Sequence, residues 1–285
     1  MTSLTPGLYL VATPIGNARD ITLRALDVLA SADVLAAEDT RVLRRLLDIH
    51  GIPVGGRPLV PHHDHSGPKD AERLLDHVAA GKAVALCSDA GTPMVADPGF
   101  ELVRAARARD LAVTALPGAS SVLTALCLAG LPTDRFTFLG FVPKSGAARA
   151  ALLAEMAAAS ATVVVFETAR RVQELVRDLC ETCGEDRPAA ICRELTKRFE
   201  EVRSGPLGTL RDTLGTMTEK GEIVLVLDRA PPRSASAADL TEALTAALST
   251  TTLRDAVDRV AADLGLPRRT VYQRALALGK EKRDD

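Results

Sequence analysis

Short apolar, β-prone runs alternate with helix-like stretches through the first half of this chain, and this alternation is typical of a parallel sheet with crossover helices. The runs predict strands over residues 8–12, 34–37, 83–87 and 112–116. The stretches between and after them predict helices over residues 21–30, 42–49, 70–80 and 101–109. The sequence therefore predicts an α/β domain over residues 1–117.

A second series of such runs begins after Pro117-Gly118 and predicts another α/β domain, over residues 118–229. It comprises a small-residue helix extending to residue 128 and strands near residues 136–141, 162–166, 189–193 and 222–227. Residues 230–238, APPRSASAA, have the composition of a linker. Only helical periods follow, over residues 241–248, 253–264 and 268–278. We therefore expect a small helical domain over residues 239–285.

Charge and hydropathy exclude several classes of protein. The 285 residues carry a formal net charge of −2, from 35 basic and 37 acidic side chains, so no global field draws the chain to polyanions. Any contact with nucleic acid has to be local. No run approaches the roughly 18 apolar residues of a membrane helix, and the first ten residues lack a positive n-region. We expect a cytoplasmic protein without a membrane partner.

The five cysteines are odd in number and lie mostly in apolar runs, where a reduced cysteine behaves as a small hydrophobic residue. Disulfides are therefore not expected. Cys180 and Cys183 form a C-x-x-C pair, but a structural zinc site needs a second pair of ligands at similar spacing, and the sequence has none. We expect no metal.

Three turns that follow predicted strands carry the residues best suited to ligand chemistry. Gly16, after the first strand, permits close approach of a ligand, although Pro-x-Gly-Asn is also a common turn. Glu38, Asp39 and Arg41 follow the second strand, where Asp39 could instead cap the next helix. Residues 88–93, SDAGTP, follow the third and combine a carboxylate, a glycine and a hydroxyl, although a long capped turn would look the same. Three such turns at successive strand ends indicate a shared pocket.

The usual phosphate and nucleophile motifs are absent from the sequence. No G-x-G-x-x-G follows the first strand and no G-x-x-x-x-G-K-[ST] occurs, which disfavours NAD and ATP enzymes. Neither a G-x-S-x-G elbow nor an H-E-x-x-H helix is present, which disfavours two large hydrolase classes. The predicted pocket has to serve another ligand.

Four stretches together carry a resemblance to a known family. They are LYLVATPIGN (8–17), AEDTR (37–41), SDAGTP (88–93) and RELTK (193–197). In this order they resemble the signatures of the bacterial small-subunit ribosomal RNA cytidine 2′-O-methyltransferases, which belong to the tetrapyrrole methylase superfamily. The resemblance implies a two-domain α/β fold that binds S-adenosylmethionine (SAM) in the cleft between the domains, and it implies a homodimer.

The resemblance also implies roles for single residues. Asp89, Gly91 and Thr92 are assigned to SAM, whose cationic sulfur favours a nearby carboxylate, with Pro14 and Gly16 on the opposite wall. Methyl transfer to a ribose hydroxyl benefits from a general base. The candidates for that base are a set of carboxylates and imidazoles, namely Glu38, Asp39, His63, His65 and Glu167.

Two segments depart from the family's pattern. The family's usual His-acid-His-Asn run is His63-Asp64-His65-Ser66 here, so a hydroxyl replaces the last amide. Residues 166–171, FETARR, lack the Pro and His that the family commonly has in this segment. The second departure weakens the case for a catalytic role of the segment, although Glu167 and Arg171 remain.

Basic residues near these motifs are the candidates for RNA contact. The set comprises Arg41, Arg170, Arg193, Lys197, Arg268 and Arg269. For Arg193, the alternative is an ion pair with Glu194 within the fold. From Arg268 to Arg283 the chain has six basic residues and one acidic residue, and the break at residues 265–267 is typical of a helix-turn-helix. A helix pair that only packs on its neighbour is the alternative there.

The preferred hypothesis is a SAM-dependent enzyme that methylates the ribose 2′-hydroxyl of a cytidine in 16S rRNA, within the assembled small ribosomal subunit. A tetrapyrrole C-methyltransferase of the same superfamily is the enzyme alternative. The alternative that is not an enzyme is a regulator that binds DNA through the basic tail. The RELTK motif and the basic tail favour RNA over a porphyrinoid, and a regulator would leave the Asp89 turn without a role.

Overall fold

The computed structural model of the chain describes residues 4–63, 66–231 and 237–284. It forms two compact units, Met1–Asp228 and Arg229–Asp285, which are described separately. Most of the predicted linker, at residues 232–236, lies outside the described residues. In the described part of the chain, no helix is long and apolar enough to cross a membrane.

The first sheet of the larger unit has five parallel strands in the order β3-β2-β4-β1-β5. The strands are β1 (Gly7–Val11), β2 (Val34–Ala37), β3 (Leu59–Pro61), β4 (Ala83–Cys87) and β5 (Val113–Leu116). The crossover helices are α1 (Leu23–Ser31), α2 (Thr40–Ile49), α3 (Pro68–Ala79) and α4 (Phe100–Ala108). Apolar side chains of α1 and α2 pack on one face of the sheet, and those of α3 and α4 pack on the other. All five carboxyl ends therefore meet at one edge.

The second sheet is mixed, with the strand order β6-β7-β10-β8-β9. Its strands are β6 (Phe136–Phe141), β7 (Thr162–Thr168), β8 (Pro188–Arg193), β9 (Glu201–Pro206) and β10 (Glu222–Leu227). Its helices are α5 (Ser121–Ala129), α6 (Gly146–Ala158), α7 (Val172–Cys183) and α8 (Leu207–Thr213). β10 runs antiparallel to both β7 and β8, with Val224 opposite Phe166 and Cys192. The amino end of β10 therefore lies beside the carboxyl ends of β7 and β8.

The two faces of the second sheet are covered by different helices. α5 packs on one face against Val164, Ala190 and Val226. Side chains of α6, α7 and α8 pack on the other face around Val165 and Leu225. The division of this unit at residues 117 and 118 into two domains stays a prediction.

The smaller unit consists of three helices, α9 (Ala237–Leu248), α10 (Leu253–Leu264) and α11 (Arg268–Asp284). The Thr252 side chain caps the start of α10, and Gly265 ends this helix in a left-handed conformation with φ 62°. Leu244, Val257 and Val271 form its core, one from each helix. Ala256, Val257 and Val260 of α10 are thus buried within this unit, whereas Leu253 at its start is exposed.

Most predicted elements are confirmed, four strands and one helix with identical bounds: residues 34–37, 83–87, 136–141, 222–227 and 253–264. The helices α6, α7 and α8 of the second series and two edge strands were not predicted. β3 has only three residues and ends in a proline, and β9 reads EVRSGP, so neither shows an apolar run. α11 also runs past the predicted end at residue 278.

Candidate functional site

A cavity of about 370 Å³ lies where the carboxyl edge of the first sheet faces the second sheet. The first sheet and its loops contribute Ile15, residues 89–92 and 95–97, and the serines at 120 and 121. The second sheet contributes Phe141, residues 166–168, Cys192, Leu195 and residues 222–224. The turn after β4 predicted to bind a ligand is thus part of the wall.

The turn after β4 is bound tightly to the turn after β1. Thr13 and Gly91 exchange two backbone hydrogen bonds of 2.9 and 3.0 Å. The Ser88 hydroxyl donates to the Gly91 carbonyl at 2.7 Å, and the Thr13 hydroxyl donates to the Ser88 carbonyl at 3.0 Å. Asp89 Oδ1 accepts the backbone N–H of Asp39 at 2.9 Å. Three strand ends thereby hold Asp89, Gly91 and Thr13 in one fixed arrangement.

The same segment contains unusual backbone conformations. Gly91 has φ +86°, and the non-glycine residues Met94 and Ala96 have φ 72° and 60°. Positive φ at such residues is costly and persists where the surroundings enforce it, which is common at ligand sites. The Thr92 hydroxyl donates to the Ala119 carbonyl at 3.0 Å, which fixes one part of the segment.

Gly16 has a different role from the one predicted. It does not line the cavity, and neither does Pro14; Ile15 between them does. A Cβ at Gly16 would lie 2.4 Å from Lys197 Cγ and 2.9 Å from the Leu195 carbonyl oxygen. Gly16 therefore permits close approach of another loop of the protein rather than of a ligand.

Glu167 is fully buried and committed to an ion pair. Its Oε1 accepts from Arg171 Nε at 2.7 Å and from the Thr168 backbone N–H at 2.7 Å, and its Oε2 accepts from Arg171 Nη2 at 2.6 Å. Arg171 Nη2 also donates to the Val142 carbonyl at 2.6 Å. The Glu167 hydrogen bond raises the pKa of Arg171. These contacts favour a structural anchor over a general base at Glu167.

The carboxylates after β2 do not reach the cavity wall. Asp39 caps α2 by accepting the Arg41 backbone N–H at 2.8 Å, and its two oxygens also accept from the Arg41 side chain at 3.0 and 2.6 Å. The Arg41 side-chain hydrogen bond lowers the pKa of Asp39 to about 2, which makes this carboxylate a weak base. The capping alternative is thus favoured for Asp39, while half-buried Glu38 stays a candidate.

The histidine segment follows β3 at the same edge, two strands away from Asp89. His62 is buried and donates its backbone N–H to the Ala37 carbonyl at 2.8 Å. His63 is exposed, and its backbone N–H donates to the Ser66 hydroxyl at 2.9 Å. His63 is not among the cavity-lining residues, and His65 lies outside the described residues. Their contact with an acceptor stays a prediction.

Two residues predicted to contact RNA are engaged in ion pairs within the protein. The buried guanidinium of Arg193 pairs with Glu201 at 3.2 Å and donates to the carbonyls of Lys220 and Phe199, each at 3.1 Å. Lys197 Nζ lies 2.9 Å from a carboxylate oxygen of Glu194 and 2.9 Å from one of Glu222. Both cations stabilise the protein itself, and Arg193 pairs with Glu201 rather than with the neighbouring Glu194.

The other predicted RNA contacts lie on the surface. Arg41 and Arg170 are exposed near the cavity. In the smaller unit Arg268 pairs with Asp258, and Arg269 is exposed. Their contact with RNA stays a prediction.

Several cavity residues were not predicted. Ser120 caps α5 by accepting the Leu123 backbone N–H. The sequence PGASS at the start of this helix could have indicated the capping serine. Phe141, Phe166 and Glu222 lie at strand ends of the second sheet, and only the mixed topology brings them to the cavity.

Comparison with known proteins gives two family matches. The family described as "Tetrapyrrole (Corrin/Porphyrin) Methylases" matches residues 7–211. The family described as "RsmI C-terminal HTH domain" matches residues 234–279.

Curated relatives are similar along nearly their whole length. A ribosomal RNA small subunit methyltransferase I of Mesorhizobium japonicum is 43% identical over 276 residues, which cover 96% of this chain and 93% of the relative. The protein of that name from Mycobacterium bovis is 42% identical over 278 residues, 96% of each chain.

Solved structures share the fold. Diphthine synthase superposes with a TM-score of 0.60 and 19% identity, covering 78% of this chain and 89% of that one. The methyltransferase CobJ superposes with a TM-score of 0.59 and 20% identity, covering 79% and 94%.

Proposed function

The chain belongs to the tetrapyrrole methylase family, among the ribosomal RNA small subunit methyltransferases I, and we propose that it methylates the ribose 2′-hydroxyl of a cytidine in 16S rRNA. We propose further that the acceptor is the assembled small subunit and that the enzyme acts as a homodimer in the cytoplasm. SAM, the methyl donor of this family, supplies an activated methyl group on a sulfonium.

The cavity fits such a donor. Its volume of about 370 Å³ lies within the range of sites for small ligands, roughly 300–1,000 Å³. Ile15 and Phe166 provide apolar surface for a ring system, and Thr92 and Ser121 provide hydroxyl groups. The chain thus offers the mixture of apolar and polar contacts that a nucleoside with a charged side arm requires.

The observation that carries the proposal is the state of Asp89 on the cavity wall. Glu167 and Glu222, also on the wall, are paired with Arg171 and Lys197. Asp89 accepts a backbone N–H and, within the described part of the chain, forms no salt bridge. The Asp39 hydrogen bond and, to a smaller extent, the Asp89 charge raise the pKa of Arg41, but the Arg41 guanidinium is paired with Asp39. A carboxylate in this state is suited to a cationic ligand, since the attraction is not already satisfied within the protein.

The reaction depends mainly on alignment, because the acceptor oxygen has to lie about 3–3.5 Å from the methyl carbon and in line with the breaking bond. The rigid turns around Thr13, Asp89 and Gly91 would hold the donor side. For the acceptor side we propose the histidine segment after β3, where a general base would contribute about 10²–10⁴ in rate. His63 and His65 are the proposed groups, because Asp39 and Glu167 are engaged in ion pairs.

Labelled SAM offered to small subunits that lack the modification, followed by digestion and identification of the methylated nucleoside, tests the proposal. Incorporation as 2′-O-methylcytidine is the expected result. A methyl group on a base, on another nucleotide, or on a tetrapyrrole offered in parallel would contradict it. Free 16S rRNA serves as the second acceptor, and weaker labelling of it is expected if the assembled subunit is the substrate.

A further inference from the structure

The loop between β8 and β9, residues 194–200, presents two large side chains to solvent. Phe199 has 63% of its surface exposed. The guanidinium carbon of Arg198 lies 5.4 Å from the centre of the Phe199 ring, which is a cation–π contact. Within the described residues, Arg198 has no carboxylate partner. The loop therefore offers an aromatic face together with an unpaired cation.

The rest of this loop is held rigidly. Glu194 and Thr196 have φ 50° and 62°, conformations that persist where surroundings enforce them. The Thr196 backbone N–H donates to Glu200 Oε2 at 2.6 Å, and Lys197 ties the loop to Glu222. The Phe199 carbonyl accepts from Arg193 at 3.1 Å. Phe199 and Arg198 are thus the two residues that face outward from an otherwise committed loop.

The loop also lies at the cavity. Leu195 lines the cavity, and so does Glu222, the partner of Lys197. Asn17, beside the cavity residue Ile15, donates its backbone N–H to the Thr196 hydroxyl at 3.1 Å. A single exposed phenylalanine is common on protein surfaces. An exposed phenylalanine stacked with arginine, on a strained loop beside a substrate cavity, is a different situation.

We propose that Phe199 and Arg198 form a stacking platform for an unpaired RNA base next to the nucleotide that receives the methyl group. Proteins recognise single-stranded RNA by stacking bases on aromatic rings and arginine planes, with cationic groups meeting the phosphates. The platform rests on the proposed function and adds to it the requirement that the target segment be unpaired.

The decisive variants are Phe199→Ala and Phe199→Trp, with Phe136→Ala as the matched control. Phe136 is also exposed but begins β6, whereas the other end of β6, Phe141, lines the cavity. We expect Phe199→Ala to raise the KM for small subunits about tenfold or more, with little change in kcat and in SAM affinity. Phe199→Trp should restore the KM, because tryptophan also stacks, and Phe136→Ala should leave it unchanged.

Binding of a cytidine-containing single-stranded RNA oligonucleotide, followed by fluorescence anisotropy, gives a second measurement that needs no turnover. Arg198→Ala should weaken this binding and make it less dependent on salt, whereas Arg107→Ala at the far end of α4 should not.

Unchanged KM and unchanged oligonucleotide affinity in Phe199→Ala would overturn the platform while leaving the proposed function intact. A change of oligomeric state in Phe199→Ala would show that this surface contacts a second copy, and would overturn it as well. Failure of the wild-type enzyme to methylate RNA would refute the proposed function instead, and the anisotropy measurement would still decide whether the platform binds RNA.

Discussion

Three carboxylates on the walls of the cavity are used in two different ways. On the second-sheet wall, Glu167 and Glu222 are each bound by a cation of the same sheet or its loops. On the first-sheet wall, Asp89 accepts a backbone N–H and forms no salt bridge within the described residues, while the nearby Arg41 is paired with Asp39. The difference teaches that an acidic side chain on a cavity wall indicates a cationic ligand when no cation of the protein forms a salt bridge with it. Its position on the wall alone does not indicate one.

Removal of Arg171 is expected to give the largest effect on stability. Arg171→Ala would leave the buried Glu167 without its partner, and we expect a loss of about 3–5 kcal/mol in the free energy of unfolding, measured by urea denaturation. The double variant with Glu167→Gln should recover part of the loss, because no buried charge remains. A loss below about 1 kcal/mol would show that the Glu167–Arg171 pair contributes little to stability and would contradict its role as a structural anchor.

His63→Ala tests whether the residue proposed to contact the methyl acceptor acts independently of SAM binding in the cavity. We expect kcat to fall about a hundredfold or more with SAM affinity unchanged, as for a group that touches the acceptor. His77→Ala, in the last turn of α3, is the control. Equal losses of turnover and SAM affinity would contradict the division between donor and acceptor sides.

Asp89→Asn sharpens the comparison most directly, because asparagine keeps an acceptor for the Asp39 N–H and removes only the charge. We expect SAM affinity, measured by calorimetry, to fall about ten- to a hundredfold. S-adenosylhomocysteine, whose sulfur is neutral, should lose much less. Similar losses for both ligands would mean that Asp89 does not recognise the sulfonium, and retained SAM affinity would contradict the donor site.

Lys197→Ala should have a smaller effect than Arg171→Ala. Glu222 has 79% of its side chain exposed, so water can replace much of that ion pair, and Glu194, the second partner, keeps the Glu222 backbone N–H as a donor at 3.0 Å. We therefore expect a loss of about 1 kcal/mol in the free energy of unfolding. Lys220→Ala is the control. A loss as large as that of Arg171→Ala would show that the Lys197–Glu222 pair contributes as much to the free energy of unfolding as the Arg171–Glu167 pair, despite its exposure.

The smallest effect concerns Asp39, the paired carboxylate on the first-sheet side. Its pKa falls from 3.8 to about 2, so its contribution to stability is present above about pH 4 and is lost as the pH falls through 2. Asp39→Asn should therefore flatten the loss of thermal stability between pH 4 and 2. Asp27→Asn, on the exposed side of α1, should not, and identical profiles for Asp39→Asn and the wild type would contradict the pairing.

The sequence predicted the residues of the first-sheet wall better than those of the second-sheet wall, for a physical reason. The turn around Asp89 is a local feature, in which a buried strand leads into a carboxylate, a glycine and a hydroxyl. The partners of Glu222 and Gly16 are distant in sequence: Lys197 contacts both of them. No periodicity connects such positions, so Lys197 could be assigned to RNA and Gly16 to the ligand.

An edge strand and an ion pair account for another difference between prediction and structure. β9 carries charged residues and glycine because one of its sides has no neighbouring strand, and this composition hid it among loops. Arg193 was a candidate for RNA contact because it belongs to the RELTK motif, and its partner Glu201 lies on the strand that the composition did not reveal.

The contact at Gly16 sets a dimension of the enzyme. A methyl group there would lie 2.4 Å from Lys197 Cγ, well inside ordinary contact distance, so the two loops approach as closely as a residue without a side chain allows. The Gly16 backbone therefore packs directly against the Lys197 side chain and the Leu195 carbonyl, and this contact fixes the spacing between the loop that contains Ile15 and the loop that contains Leu195. Since a displacement of about 1 Å can cost a hundredfold in rate, a side chain at this one position, which would push the Ile15 loop away from the Leu195 loop, would disturb the cavity proposed to hold the methyl donor.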